Sequence, residues 1–172
     1  MFWINSILPD KLKMKEHPRL VFPFIDKDGK CFGVSARSFD PEGLRYITIM
    51  FEDHPKIFGL DVVDMSKTYY ICEGPIDSLF LDNSVAMAGA DGNINGFDNI
   101  DNAVYIFDNE PRNTEIHKRM EKIIKQGNKI CIWPSNIKEK DINDMVLANI
   151  KNVKEIINKH TFSGLEATLR LS

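Results

Sequence analysis

The sequence YYICEGPID, Tyr69–Asp77, decides how the rest of the chain is interpreted. Its four apolar residues predict a buried strand that ends at Glu73, and Gly74-Pro75 predicts a turn into a helix over Ile76–Leu81. Glycine lets the backbone turn without a side chain in the way. Because residues four apart share one helical face, Asp77 is expected to point toward the same crevice as Glu73. The stretch therefore predicts a strand-turn-helix unit that brings two carboxylates together.

From Thr68 onward, apolar strands alternate with helical patterns, which is typical of βαβ units and a parallel sheet. A loop rich in Gly, Asp and Asn is expected at Gly89–Gly96. The remaining strands are predicted at Val85–Ala88, Ala103–Phe107 and Lys129–Trp133, and the remaining helices at Thr114–Gln126, Asp141–Ile150 and Val153–His160. This segment is predicted to be an α/β domain with a four-stranded parallel sheet and flanking helices.

The first segment, up to about Ser66, has shorter apolar runs separated by turn signals. Strands are predicted at Arg19–Ile25, Cys31–Arg37 and Tyr46–Phe51, with a hairpin turn at Asp28-Gly29. We therefore expect a small, mostly antiparallel α+β module over residues 1–66, an α/β domain over 67–160 and a C-terminal tail over 161–172.

Length and composition indicate a globular protein. The chain has 172 residues, of which 43% are hydrophobic, enough to bury a sizeable core in one domain or two small ones. No apolar run approaches the roughly 20 residues that span a bilayer, and the first 19 residues carry basic groups after the apolar ones, the reverse of a signal peptide. We expect a cytoplasmic protein without a membrane partner.

Cysteine spacing and net charge exclude little else. Cys31, Cys72 and Cys131 are odd in number and widely spaced, so they are interpreted as buried thiols rather than disulfide partners or zinc ligands. The formal net charge of −3 does not by itself indicate nucleic-acid binding. It does not exclude such binding, because carboxylates that hold cations are neutralised in the working site.

Acidic residues follow three of the predicted strands. Because ligands bind outside the carboxyl ends of parallel strands, these residues should converge there. They are Glu73 with Asp77, then Asp108 with Glu110, then Asp141 with Asp144. Converging carboxylates are stable only with cations between them, and all-oxygen ligation favours Mg²⁺ or Mn²⁺ over zinc. Taken singly, Asp77, Asp141 and Asp144 are also typical helix caps.

This ordered set resembles the Toprim domain, the metal-binding module of bacterial-type primases, type IA and II topoisomerases and some nucleases. The matching motifs are EGPID, DNE and KDIND, over about residues 68–150. Within that superfamily the chain is most similar to the RNA-polymerase core of bacterial-type and tailed-phage DNA primases. The further segments that carry this similarity are RLVFPFIDKDGKCFGVSAR, KIFGL and the closing FSGLEATLR.

The resemblance implies specific roles for individual residues. Glu73, Asp108 and Glu110 would be catalytic and hold Mg²⁺ or Mn²⁺, with Asp77, Asp141 and Asp144 completing a second acidic site, so that two ions are expected. The basic residues expected to face template and nucleotide phosphates are Arg19, Arg37, Arg45 and Lys56, of which Lys56 would also be catalytic. Glu110 stands where many members have Asp, and either Asn143 or Asp144 could occupy the last acidic position.

The implied activity is metal-dependent, DNA-templated synthesis of short RNA primers from ribonucleoside triphosphates on single-stranded DNA. Two alternatives use the same residues: a Toprim nuclease, and a non-catalytic Toprim-like module that binds nucleic acid. A topoisomerase is disfavoured because the tyrosines lie in predicted strands. Without paired cysteines, the chain is expected to lack the zinc-binding domain usual in such primases and to be either an excised catalytic core or one piece of a split enzyme. A separate zinc-binding primase domain and a replicative helicase are the further partners expected.

Overall fold

Two β-sheets form the framework of the protein. The computed structural model describes residues 18–89 and 100–172. In the first sheet, β1 (Arg19–Ile25), β2 (Cys31–Ser38) and β3 (Tyr46–Met50) are antiparallel in the order β1-β2-β3. The three predicted strands and the hairpin are therefore confirmed to within one residue. Residues 18–66 otherwise contain only turns and one short strand, and the predicted loop at 89–96 lies, beyond Gly89, outside the described residues.

The second sheet has six strands in the order β4-β6-β5-β7-β8-β9. The inner four are mutually parallel, which confirms the predicted four-stranded core, and the two edge strands run antiparallel to their neighbours. They are β4 (Ile57–Phe58), β5 (Tyr69–Cys72), β6 (Ser84–Met87), β7 (Ala103–Ile106), β8 (Lys129–Cys131) and β9 (Thr161–Phe162). The sequence missed β4 and β9 because two-residue strands carry no periodicity.

Five helices flank this sheet among the described residues. They are α1 (Pro75–Ser78), α2 (Thr114–Lys125), α3 (Ile142–Leu147), α4 (Val153–Lys159) and α5 (Gly164–Leu171), with a 3₁₀ turn at Ile100–Asn102. Helix α1 is shorter than predicted because residues 79–81 continue with i→i+3 hydrogen bonds. Residues 161–172, expected to be a tail, instead form β9 and α5.

The core lies on both faces of the second sheet, as expected for parallel strands. Alternate residues of β5 point to opposite sides: Tyr69 and Ile71 join one apolar cluster, whereas Tyr70 and Cys72 join the other. The first cluster also contains residues of the first sheet and of α2, and the second contains residues of α3 and α4. The first cluster therefore packs the first sheet against one face of the second sheet.

Cysteine burial agrees with the sequence at two of the three positions. Cys72 and Cys131 are buried free thiols, but Cys31 is exposed at the start of β2, because the strand begins at the edge of the hairpin turn. Across residues 18–89 and 100–172, none of the helices has both the length and the apolar content needed to cross a bilayer.

Candidate active site

A cleft of about 340 Å³ lies between the two sheets. One wall is basic: it is formed by Arg37 of β2, by Tyr46 of β3 and by Arg45, which immediately precedes β3. The other wall is acidic and comes from the carboxyl ends of the parallel strands. Its carboxylates are Glu73, Asp77, Asp108 and Asp141. The cleft thus combines the two kinds of group that the sequence predicted from separate segments.

Glu73 and Asp108 meet directly across the ends of β5 and β7. The backbone N–H of Asp108 donates a hydrogen bond of 3.0 Å to Glu73 Oε2. The two strands pair in parallel register, with Cys72 opposite Ile106, so the residues that follow them emerge side by side. The convergence predicted from the strand ends is therefore observed.

Two of these carboxyl groups resist ionisation in the protein without a bound cation. Burial, reinforced by the nearby Glu73 charge, raises the pKa of Asp108 from 3.8 to about 7. Burial also raises the pKa of Asp77 from 3.8 to about 6, although the backbone N–H of Asn143 donates to its Oδ1 at 3.0 Å. Buried carboxyl groups with raised pKa values are typical of functional sites, and a nearby cation would favour their ionised form.

Two cationic side chains balance part of the acidic cluster. Arg119 Nη1 lies 2.5 Å from Glu73 Oε1, and Lys140 Nζ lies 2.6 Å from Glu110 Oε1 and 3.5 Å from Asp108 Oδ2. Hydrogen bonds from Lys140 and then Asn113 lower the pKa of Glu110, and the same contact with Glu110 raises the pKa of Lys140. These ion pairs reduce the repulsion between the converging carboxylates.

The carboxylate oxygens suit a hard divalent cation, which prefers all-oxygen ligands. In the part of the chain that the structure describes, however, no three His, Cys, Asp or Glu side chains are arranged to hold one metal ion. Glu73 instead contacts Arg119, and Glu110 contacts Lys140 and Asn113. The oxygen donors of this site therefore suit a divalent cation. That Glu73, Asp108 and Glu110 bind it stays a prediction.

The KDIND motif contributes unequally to the cleft. Asp141 lines it and also caps α3, accepting the N–H of Asp144 at 2.7 Å, so the helix-cap interpretation is correct for this residue. Asn143 lines the cleft as well, whereas Asp144 is absent from its lining. Of the two residues left open for the last acidic position, Asn143 is therefore the one that borders the acidic wall.

The predicted basic residues divide into two pairs. Arg37 and Arg45 line the cleft, where each guanidinium carbon lies 5.8 Å from the centre of the Tyr46 ring. Arg19 does not line it, because its Nη1 donates to the Leu44 carbonyl at 2.9 Å. Lys56 does not line the cleft itself, but it lies beside Gly89, which does. A side chain at Gly89 would come within 3.3 Å of Lys56 Cδ.

Sequence reasoning did not assign a role in the site to three residues that line this cleft: Tyr46, Arg119 and Lys140. Tyr46 could have been found from its position beside two arginines, since it directly follows Arg45 and lies opposite Arg37 on the neighbouring strand. Arg119 carried no such signal, because α2 is amphipathic and its basic residues are typical of a solvated face.

Comparison with known proteins finds similarity to DNA primases in both sequence and fold. No family model matches the chain. It is 35% identical to the DNA primase of Enterobacteria phage T4 over 176 residues, which covers 98% of this chain and 51% of that protein. The chain therefore spans about half the length of this curated relative.

Solved structures with the same fold include three primase domains. The RNA polymerase domain of Mycobacterium tuberculosis primase DnaG superposes with a TM-score of 0.65 at 16% identity, covering 90% of this chain and 57% of that one. A DnaG primase catalytic domain bound to single-stranded DNA gives 0.62 at 16% identity, covering 84% and 52%. The primase fragment of the bacteriophage T7 primase-helicase gives 0.62 at 18% identity, covering 86% and 64%. By sequence the chain is similar to the DNA primase of Enterobacteria phage T4, and it shares the fold of these primase domains.

Proposed function

We propose that this chain is the catalytic core of a primase, an enzyme that joins ribonucleotides on a single-stranded DNA template with the help of divalent cations. The observation that carries the proposal is the meeting of Glu73 and Asp108 in a cleft whose opposite wall holds Arg37 and Arg45. Similarity to the phage T4 DNA primase over nearly the whole chain supports it.

The acidic wall is proposed to hold two ions, Mg²⁺ or Mn²⁺. Glu73, Asp108 and Glu110 would bind the catalytic ion, and Asp77 with Asp141 would contribute the second site, with Asn143 or Asp144 beside it. Such ions lower the pKa of the attacking 3′-hydroxyl and stabilise the leaving pyrophosphate, so nucleotidyl transfer needs no nucleophilic side chain. The chain's part is to hold these carboxylates together at the carboxyl ends of the parallel strands, where bound cations would favour their ionised form.

The basic wall is proposed to bind the phosphates of template and nucleotides. Arg37 and Arg45 flank Tyr46, and the three side chains face the acidic wall across the cleft. Guanidinium groups can grip phosphate oxygens with two hydrogen bonds at once, which favours a defined substrate orientation. Lys56 and Arg19 would extend this surface outside the cleft.

The partners proposed for the chain are single-stranded DNA, ribonucleoside triphosphates, a replicative helicase and a separate zinc-binding primase domain. A DnaG catalytic domain of the same fold was solved with single-stranded DNA, and another such domain is the primase part of the T7 primase-helicase. These two structural neighbours support a template and a helicase partner.

The proposal is tested by labelled dinucleotide synthesis on single-stranded DNA with Mn²⁺. We expect product from the wild type and a loss of roughly 100-fold or more in Glu73→Gln, since the change removes transition-state charge stabilisation of several kcal/mol. Glu121→Gln, on the exposed side of α2, is the matched control and should keep full activity. Cleavage of the template without nucleotide incorporation would instead indicate the nuclease alternative, and equal activity of Glu73→Gln would contradict the site.

A further inference from the structure

Arg119 occupies a position in the cleft that the proposed chemistry does not yet use. It extends from α2, and its guanidinium carbon lies 5.0 Å from the centre of the Phe107 ring. Its Nη1 contacts Glu73 Oε1, while its Nε is buried and has no hydrogen-bond partner among the described residues. A buried donor without an acceptor is costly, so this arrangement leaves part of the guanidinium unsatisfied.

The contact with Glu73 involves an oxygen that a cation would need. Glu73 Oε2 already accepts the backbone N–H of Asp108, and Oε1 is occupied by Arg119. The pair is half-buried, with side-chain exposures of 19% for Glu73 and 30% for Arg119. Any ion that binds Oε1 therefore displaces the guanidinium or meets its repulsion at close range.

A displaced Arg119 would still remain in the cleft. The side chain lines the same cavity as Arg37 and Arg45, and the Phe107 ring offers the guanidinium a flat surface on which to stay. Phosphate oxygens entering the cleft would give it a full set of acceptors, including one for Nε. Arginine is the side chain best suited to such exchange, because its charge persists and its five donors match both carboxylate and phosphate.

We propose that Arg119 is a further substrate-binding residue that exchanges partners: it pairs with Glu73 when no divalent cation is bound, and with nucleotide phosphate once a cation takes Glu73. This inference rests on the proposed function, whose site it deepens. It makes cation and nucleotide binding cooperative through a single side chain. Glu73 stays paired in the empty protein, and Arg119 reaches the phosphates only in the loaded one.

The test compares Arg119→Met and Arg119→Lys with Lys122→Met, a matched change of an exposed cation one turn further along α2. Affinity for Mn²⁺ alone is measured by electron paramagnetic resonance, and affinity for ATP at saturating Mn²⁺ by calorimetry. In Arg119→Met we expect Mn²⁺ to bind up to about fivefold tighter, because the competitor for Glu73 is gone. ATP should bind about tenfold more weakly, because a charged phosphate contact is lost.

The opposite signs distinguish partner exchange from a purely structural ion pair. Arg119→Lys should lie between wild type and Arg119→Met in both measurements, and Lys122→Met should stay within about twofold in each. Weakening of both Mn²⁺ and ATP binding, together with a lower Tm, would overturn the proposal, as would unchanged binding of either ligand. Dinucleotide synthesis by the wild type reports separately on the proposed function, so the two can fail independently.

Discussion

Asp108 is the residue whose ionisation costs the folded protein most stability in the acidic site. Its pKa is about 7 in the folded protein, against an ordinary value of 3.8, because burial and then the Glu73 charge disfavour ionisation. The folded protein thus binds this proton more tightly than the unfolded chain. The stability contributed by the protonated group is fully present below about pH 4 and is lost as the pH rises through about 7.

Asp108→Asn should remove this loss, since the amide stays neutral at every pH. We expect the Tm of the variant minus that of the metal-free wild type to increase between about pH 5 and pH 8. Asp28→Asn, in the exposed β1–β2 turn, makes the same substitution outside the acidic cleft and is the matched control. A flat difference for Asp108→Asn, measured by thermal unfolding monitored by circular dichroism, would show that the carboxyl group ionises without cost.

At this scale, the sequence predicted the residues whose position follows from strand ends. Glu73 and Asp108 were found because each directly follows an apolar strand of a parallel sheet. Arg119 was not, since its partner Glu73 lies 46 residues away in the chain and only the packing of α2 brings them together. Contacts between a helix face and a strand end leave no local pattern in the sequence.

Helix α5 shows how an element outside the predicted domain can complete the fold. Ala167 is fully buried in the same apolar cluster as Ile116, Met120 and Ile124 of α2, whereas Leu165 on the other side of α5 is 75% exposed. The helix follows β9, which pairs with β8 at the sheet edge. Its packing therefore holds the helix that carries Arg119.

Ala167→Glu should destabilise the protein by about 3 kcal/mol or more, because it places an unpaired charge in the core. Leu165→Glu adds the same side chain on the exposed face and should change the free energy of unfolding by only about 0.5 kcal/mol. Urea unfolding monitored by circular dichroism measures both. Equal stability of the two variants would mean that α5 is not docked against α2.

Element boundaries were predictable where periodicity was long. The limits of α2 and of β1 follow from apolar spacing and, for α2, from the Asn113 cap, whose side chain accepts the Glu115 and Ile116 N–H groups. Elements β4 and β9 were missed because they have only two residues each. Helix α5 was missed because its eight residues are too few to give a clear apolar periodicity. The placement of β4 and β9 depends on pairing at the edges of the parallel sheet, and that of α5 on packing against α2, both of which only the assembled fold defines.

In the whole molecule, the cleft forms where the basic residues of the first sheet face the acidic residues at the carboxyl ends of the parallel strands. The sequence predicted both walls from separate segments, with Arg37 and Arg45 on one and Glu73 on the other. It could not predict which basic residues face inward: Arg19 is directed to the Leu44 carbonyl instead. Side-chain direction across a cleft depends on sheet packing, beyond what strand periodicity specifies.

The central claim is that the acidic wall binds divalent cations, and anomalous diffraction from crystals soaked in Mn²⁺ tests it most directly. We predict an anomalous peak in the cleft with oxygen ligands from Glu73 and Asp108, and the Arg119 guanidinium displaced from Glu73. A soaked crystal with no Mn²⁺ in the cleft and the Glu73–Arg119 pair intact would contradict the claim.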